Sequence, residues 1–266
     1  MQHRHNRYNK YPGSSTSILA LAFLVANMIG LTAARADDPK TMFKEMSDYL
    51  ASQKAISFDF DSTLEIVTDQ GQKLGLASSG AMTMNRPDKL HARRTGGFAN
   101  VEMAFDGATL TMLGKNANVY AQAKASGTID NLVEELRNTY HRPLPAADLL
   151  MSNPYEQLIP LVVDAKDLGS GVIGGVECDH LAFRTEDVDW QIWIAQGARR
   201  YPCRYVITSS KIAGSPQYTI DVRAWKTGDE VAKDSFKVAT DGAKEMKPGE
   251  LPDFDELGGI YKTKEK

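Results

Sequence analysis

Two cysteines and a histidine are the residues of this sequence whose types and spacing most readily suggest chemistry. Cys178 and His180 alternate along a predicted strand, so both side chains face the same side of a sheet, and Cys203 opens another predicted strand. Two thiols and one imidazole are metal ligands, but the paired Cys-x-x-Cys spacing of a structural zinc site is missing. We therefore expect no metal and no cofactor, and interpret these residues as half-buried strand residues.

The same cysteines are an even pair, which favours a disulfide in an oxidising compartment. Predicted strands at residues 175–185, 189–196 and 203–210 would be consecutive in a meander, which places Cys178 and Cys203 two strands apart, at roughly 9–10 Å. A disulfide needs Cα atoms closer than about 7 Å, so only fraying or a bulge at the strand ends would allow it. On the sequence alone, both the bonded and the free state stay open.

Motifs of enzymatic chemistry are missing from the sequence. There is no Gly-x-Ser-x-Gly motif and no convincing Ser/His/Asp set, and His91, His141 and His180 lie in separate segments. The glycines at positions 169 and 171 lead into a strand, whereas a phosphate-binding loop opens a helix. We predict that the protein is not an enzyme.

The N-terminus has the order of a secretory signal peptide. Basic residues precede a stretch from Ile18 to Leu31 that is apolar or small except for Asn27, and Ala34-Arg35-Ala36 is a cleavage signature before Asp37. We predict a signal peptide at residues 1–36, with an uncleaved membrane anchor as the alternative, and a single domain at residues 37–266.

Charge and location limit the partners. The formal net charge of −3 becomes more negative when the signal peptide and its cations are removed, which argues against nucleic acid. No second apolar run of membrane-spanning length follows. We expect a periplasmic monomer with no transmembrane segment after cleavage.

Hydrophobic periodicity predicts a mainly β (α+β) fold. Apolar residues at three- and four-residue steps predict a helix at residues 39–53, and alternation from Ala55 onward predicts strands separated by turn-forming residues. The predicted strands are 55–66, 74–85, 89–94, 100–105, 108–113, 118–123, 175–185, 189–196, 203–210, 217–225 and 236–239. Helices are predicted at 128–140, 146–151 and 155–163, with Thr128 as N-cap. About eleven antiparallel strands should curl into an incomplete β-barrel, and the inserted helices should form a lid over its concave face.

One side of the predicted strands is apolar and rich in methionine. We predict that Phe58, Phe60, Leu64, Met82, Met84, Met103, Phe105 and Met112 line a site for an apolar ligand, because unbranched, polarizable methionine adapts to irregular contacts. The alternative is that these residues are ordinary core.

Several segments resemble a known group of exported proteins. Residues 80–87, which end in Arg86-Pro87, and the hairpin Phe105-Asp106-Gly107 resemble the lipoprotein-carrier (LolA/LppX-like) superfamily. Residues 178–184, 189–193 and 205–208 more closely resemble an exported bacterial family known as domain of unknown function 2092. The resemblance covers nearly all of the chain after residue 36.

The resemblance implies a lidded, incomplete barrel that binds the acyl chains of lipids or lipoproteins, with Arg86 holding the lid shut. The alternative interpretation of Arg86 is a solvated charge at the end of a strand. The helical insert is longer than in the carriers, so lipoprotein transfer is not implied. Our leading hypothesis is a periplasmic carrier of an apolar lipid-like ligand or acylated protein; the alternative is a protein-interaction or envelope-sensing module with no transported ligand.

Overall fold

A computed structural model describes residues 38–97, 99–140, 144 and 146–248 of the protein. The predicted signal peptide lies outside the described residues, as does the end of the predicted domain, residues 249–266. None of the helices in the described ranges is long and apolar enough to cross a membrane.

Helix α1 covers Pro39–Ser52, as the spacing of its apolar residues predicts. It begins after Asp38, whose carboxylate accepts a hydrogen bond from the Thr41 amide at 3.2 Å. Pro39 occupies the first turn, where an amide donor is not needed. One side of the helix is buried through Met42, Phe43, Met46, Ser47 and Leu50. This side packs on the sheet.

Within the described residues, twelve strands form one sheet. They are β1 (Ala55–Val67), β2 (Lys73–Asn85), β3 (Lys89–Gly96), β4 (Asn100–Phe105), β5 (Thr109–Gly114), β6 (Val119–Lys124), β7 (Asp164–Ile173), β8 (Val176–Arg184), β9 (Val188–Ala195), β10 (Pro202–Ser209), β11 (Gln217–Thr227) and β12 (Lys244–Glu245). Their spatial order is β12-β6-β5-β4-β3-β2-β1-β11-β10-β9-β8-β7, and only the β12–β6 pair is parallel. Because β12 and β7 lie at opposite ends, the sheet is open, which confirms the predicted mainly β, incomplete antiparallel barrel with helices.

Two details of the strand prediction are wrong. Residues 164–173 form strand β7, whose mostly exposed Asp, Gly and Ser residues lack an apolar alternation because an edge strand needs none. The predicted strand at 236–239 is irregular, since Phe236 has a φ of +52° and its amide donates to the Asp234 carboxylate at 2.6 Å. The last strand is instead the two-residue β12, and the sheet has twelve strands, which agrees with the prediction of about eleven.

The helices inserted between β6 and β7 lie on the same face of the sheet as α1. Helix α2 (Ile129–Asn138) is followed by a 3₁₀ turn (Ala147–Leu150), helix α3 (Pro154–Leu158) and a second 3₁₀ turn (Ile159–Leu161). Thr128 caps α2, as predicted, in a reciprocal capping box with Asn131. We call α1, α2, α3 and the two 3₁₀ turns the helical cover, and the face of the sheet beneath them the inner face.

Asp234, in the segment that leads to β12, contacts the opposite, outer face of the sheet. His91 on β3 lies between two carboxylates, with Nδ1 2.8 Å from Asp234 and Nε2 2.9 Å from Glu102. Burial pushes the pKa of Glu102 upward, but hydrogen bonds from Lys115 and His91 outweigh burial, so the pKa lies below its ordinary value. The ionised carboxylate therefore helps to hold the segment that leads to β12 at the β6 edge.

Candidate functional site

The inner face carries one continuous apolar surface. Pairing of β1 with β2 sets Phe58 opposite Met82, and pairing of β4 with β5 sets Met103 opposite Met112. Alternation along each strand brings all of the predicted ligand-binding residues to this face: Phe58, Phe60, Leu64, Met82, Met84, Met103, Phe105 and Met112. Whether they bind a ligand is a separate question, which depends on how they are covered.

Five of the predicted residues belong to the core beneath the helical cover. Phe58, Met82, Met84, Met103 and Phe105 are each at most 9% exposed. They share one hydrophobic cluster with the buried residues of α1 and α2. Of the chain's ten methionines, Met42, Met46, Met82, Met84, Met103 and Met151 are buried in this cluster. The layer between cover and sheet is therefore unusually rich in a side chain that changes its packing easily.

This layer contains a small pocket. A pocket lined by Leu110, Met112, Ala121, Ala123, Leu136, Tyr140 and Pro248 encloses about 20 Å³, which is room for about one water molecule. Sites for small organic ligands are typically about 300–1,000 Å³. The described conformation thus has no preformed chamber for an acyl chain at this position, and such a ligand would enter this layer only if the helical cover moved.

Beyond the cover, the inner face continues as a half-buried apolar surface on the central strands. We call it the open patch and define it by Phe60, Leu64, Leu76, Ile207, Ile220 and Val222. Leu64 lies opposite Leu76 on β2, and Phe60 lies opposite Val222 on β11. Four members, Phe60, Ile207, Ile220 and Val222, pack against the core cluster, so the patch and the core form one surface.

Leu76 and the three residues from β10 and β11 were not among the predicted site residues. Their strands show the same alternation as β1, but alternation alone does not tell which side of a strand faces which side of another. Pairing of β1 with β11, more than 150 residues later in the chain, places Ile220 opposite Ser62 and so on the inner face. Only knowledge of that long-range pairing could have found Ile207, Ile220 and Val222, whereas Leu76 lies opposite Leu64 through the local β1–β2 hairpin.

Two details shape the centre of the open patch. Ser62 and Ser78 face each other across β1 and β2 with their hydroxyl oxygens 2.9 Å apart, which satisfies both groups in a buried position. The ring of Phe60 lies over Gly80, where an added Cβ would come within 2.3 Å of the ring. Gly80 is therefore what allows Phe60 to lie flat against the sheet.

Arg86 connects the sheet to the helical cover. It follows β2, and its guanidinium donates to the carbonyl of Met151 at 3.1 Å. Burial lowers the pKa of Arg86, while the nearby carboxylate of Asp130 opposes this shift, and Nε has no hydrogen-bond partner within the described residues. Asp130 in turn accepts hydrogen bonds from the amide and hydroxyl of Ser152. Arg86 thus contacts the segment that was predicted to be a lid.

The three residues with metal-ligand chemistry do not converge. His180 stacks on Trp193 at 3.9 Å between ring centroids, and its Nε2 lies 2.9 Å from Gln191. Cys178 and Cys203 are both buried, and both are free thiols. Among the described residues, no group of three or more His, Cys, Asp or Glu side chains is arranged to hold a metal ion.

The family is shown by a sequence comparison. The model of a family described as "Predicted periplasmic protein (DUF2092)" matches residues 40–247, so the chain belongs to this family. This confirms the predicted family and the predicted periplasmic location. Comparison with curated proteins gives no match.

Solved structures show distant likeness to the fold. An uncharacterised conserved protein from Thermus thermophilus is 9% identical with a TM-score of 0.45, covering 78% of this chain and 98% of that chain. Mycobacterium tuberculosis lipoprotein LppX is 12% identical with a TM-score of 0.37, over 73% and 97%. MucB in the MucA/MucB complex of Pseudomonas aeruginosa is 12% identical with a TM-score of 0.43, over 76% and 61%.

Proposed function

We propose that this member of a predicted periplasmic family binds an apolar ligand with an acyl chain on the inner face of its sheet. The observation that carries the proposal is the continuity of the apolar surface, which runs from the half-buried open patch into the methionine-rich core beneath the helical cover. A ligand that contacts Leu64 and Phe60 first could extend under the cover along apolar side chains. Two polar side chains on this path, Ser62 and Ser78, are hydrogen-bonded to each other.

The energetics allow useful affinity at a modest contact area. Burial of one methylene contributes about 0.8 kcal/mol, so about ten methylenes supply about 8 kcal/mol. This equals a dissociation constant of about 1 μM before the costs of ordering the ligand and moving the cover. An acyl chain is long enough to reach that value, whereas a small polar metabolite is not.

Movement of the cover is the step that would admit a ligand to the buried core. The described polar contacts between the inserted helices and the rest of the chain include Arg86 with Met151, and Ser47 with the amide of Tyr155 at 3.0 Å. The remaining contact is mainly apolar, and methionine side chains can repack around an incoming chain. The same apolar surface would therefore contact the cover in the closed state and the ligand in the open state.

A pair of substitutions on β1 tests the site. Leu64→Glu places a charge on the open patch and should raise the dissociation constant of a fluorescent fatty acid at least about tenfold, which corresponds to about 1.4 kcal/mol. Thr63→Glu adds the same charge at the preceding residue, which is exposed on the outer face. It should change the dissociation constant less than about twofold. Binding is measured by fluorescence titration of the purified mature protein. Absence of binding to the unmodified protein would refute the function, and equal effects of the two variants would refute the site.

A second candidate function is that of a protein-interaction or envelope-sensing module. It is favoured by the exposed apolar residues Leu161, Val163, Leu168 and Val172, which lie on and just before edge strand β7. An unpaired strand edge with apolar side chains can accept a partner. This candidate predicts a cross-linked periplasmic protein partner together with no fatty-acid binding, which separates it from the first.

A further inference from the structure

Cys178 and Cys203 meet at a β-bulge. Cys178 on β8 lies opposite Ala195 on β9. The register between β9 and β10 shifts between Pro202 and Arg204, which makes Cys203 the extra residue of the bulge and re-aims its side chain. The two cysteines and Ala195 form a small buried cluster separate from the main core. In a regular meander, the two cysteines would be two strands apart. The bulge turns the Cys203 side chain and so allows the two sulfurs to approach each other.

The thiols share one buried cluster. Cys178 and Cys203 pack together with Ala195, and the Cys178 thiol donates to the carbonyl of Val176 at 3.4 Å. Their exposed fractions are 0% and 2%, so neither sulfur contacts solvent. Two thiols that pack in the same buried cluster beside a bulge are placed to form a bond once their Cα separation falls below about 7 Å.

We propose that Cys178 and Cys203 form a structural disulfide in the periplasm. Both S–H bonds break, one S–S bond forms, and two electrons and two protons pass to the disulfide of a thiol oxidase, which is reduced to its dithiol. The predicted periplasmic location of the family provides the compartment in which such bonds persist. This inference does not depend on the proposed ligand.

Burial of the thiols determines when during folding the disulfide can form. Exchange with an oxidase requires an accessible thiolate, but burial raises the pKa of both thiols and closes access to them in the folded protein. The bond therefore forms before the cluster closes during folding, and afterwards it is shielded from reductants. A chain that folds first in a reducing environment retains both thiols.

The pair lies at the joint that holds α1. Next to Cys178, Asp179 accepts from Arg200 at 2.9 Å, and Arg200 also contacts Glu45 of α1 at 3.3 Å. Tyr201, two residues before Cys203, stacks on Trp225 at 5.1 Å. A bond between the cysteines would fix β8 to the start of β10. It would therefore also hold Asp179 and Arg200 in the position from which Arg200 contacts α1.

Peptide mapping tests the proposal on the unmodified protein. Protein purified from the periplasm is denatured in guanidinium chloride with excess iodoacetamide and no reductant, and is then digested with trypsin. The expected product is residues 167–184 joined to residues 201–204, because these tryptic peptides contain Cys178 and Cys203. Recovery of both peptides alkylated and unjoined would overturn the proposal. Cys178→Ala serves as control, since Cys203 should then be alkylated.

Thermal unfolding supplies a second readout. The bond closes a loop of about 25 residues, for which loop-entropy and size relations give a decrease in Tm of about 10 °C when the protein is reduced under denaturing conditions and refolded. Reduction should leave the Tm of the double variant Cys178→Ala/Cys203→Ala unchanged. An equal Tm for the oxidised and reduced unmodified protein would contradict a structural role. If the double variant fails to fold, the peptide map of the unmodified protein still decides.

Discussion

Trp190→Ala is expected to lower the free energy of unfolding by about 3–5 kcal/mol, measured by urea denaturation. Trp190 is 2% exposed on the inner face, where its ring lies 4.1 Å from that of Phe183, 5.3 Å from that of Phe43 on α1, and 5.8 Å from that of Tyr205. Truncation leaves a large cavity between the helical cover and the sheet, and three rings lose a packing partner.

Trp193 on the same strand is the matched control. It lies on the outer face, is only half-buried, and contacts His180 by stacking and Arg204 by a cation–π interaction at 5.7 Å. Trp193→Ala should cost about 1–2 kcal/mol, because those contacts are near solvent. Equal losses for the two variants would show that the inner face of β9 is not where the main core lies.

Arg86→Met is expected to increase the opening of the helical cover about tenfold or more, measured by amide hydrogen exchange in residues 129–138. The substitution keeps an apolar stem but removes the donor to the Met151 carbonyl, and a hydrogen bond to a charged group contributes about 1.5–3 kcal/mol. The free energy of global unfolding should change by less than about 1 kcal/mol, because the substitution also removes a buried Nε that has no hydrogen-bond partner within the described residues.

Arg93→Met controls for loss of an arginine from the neighbouring hairpin. Arg93 is exposed on β3 and should give exchange rates in α2 equal to those of the unmodified protein within about twofold. Under the proposed function, Arg86→Met should also accelerate association with a fluorescent fatty acid. If Arg86→Met leaves exchange in α2 unchanged, the arginine is not what holds the cover, and its contact with Met151 is incidental.

Local sequence patterns predicted most of the elements, because each depends on residues close in the chain. The strict alternation in β1 and the Thr128 cap of α2 are of this kind. Edge strand β7 was missed because it buries little and so shows no alternation. The predicted strand at Phe236 failed because a positive φ at that residue, supported by Asp234, ends the extended conformation.

The candidate site was only half predictable. The residues of β1 to β5 share a face through local hairpins, so their alternation was sufficient to group them. Ile207, Ile220 and Val222 join them through the pairing of β1 with β11, which no local pattern encodes. The bulge at Cys203 was likewise hidden, because a bulge depends on the partner strand as much as on its own sequence.

Native mass spectrometry of the protein purified from its own periplasm, without detergent, tests most directly whether the inner face carries a ligand. The proposal predicts a mass above that of the mature chain, with the difference released on denaturation and recovered in the organic extract as a molecule with an acyl chain. A mass equal to that of the bare mature chain, with no acyl-chain molecule in the extract, would contradict it.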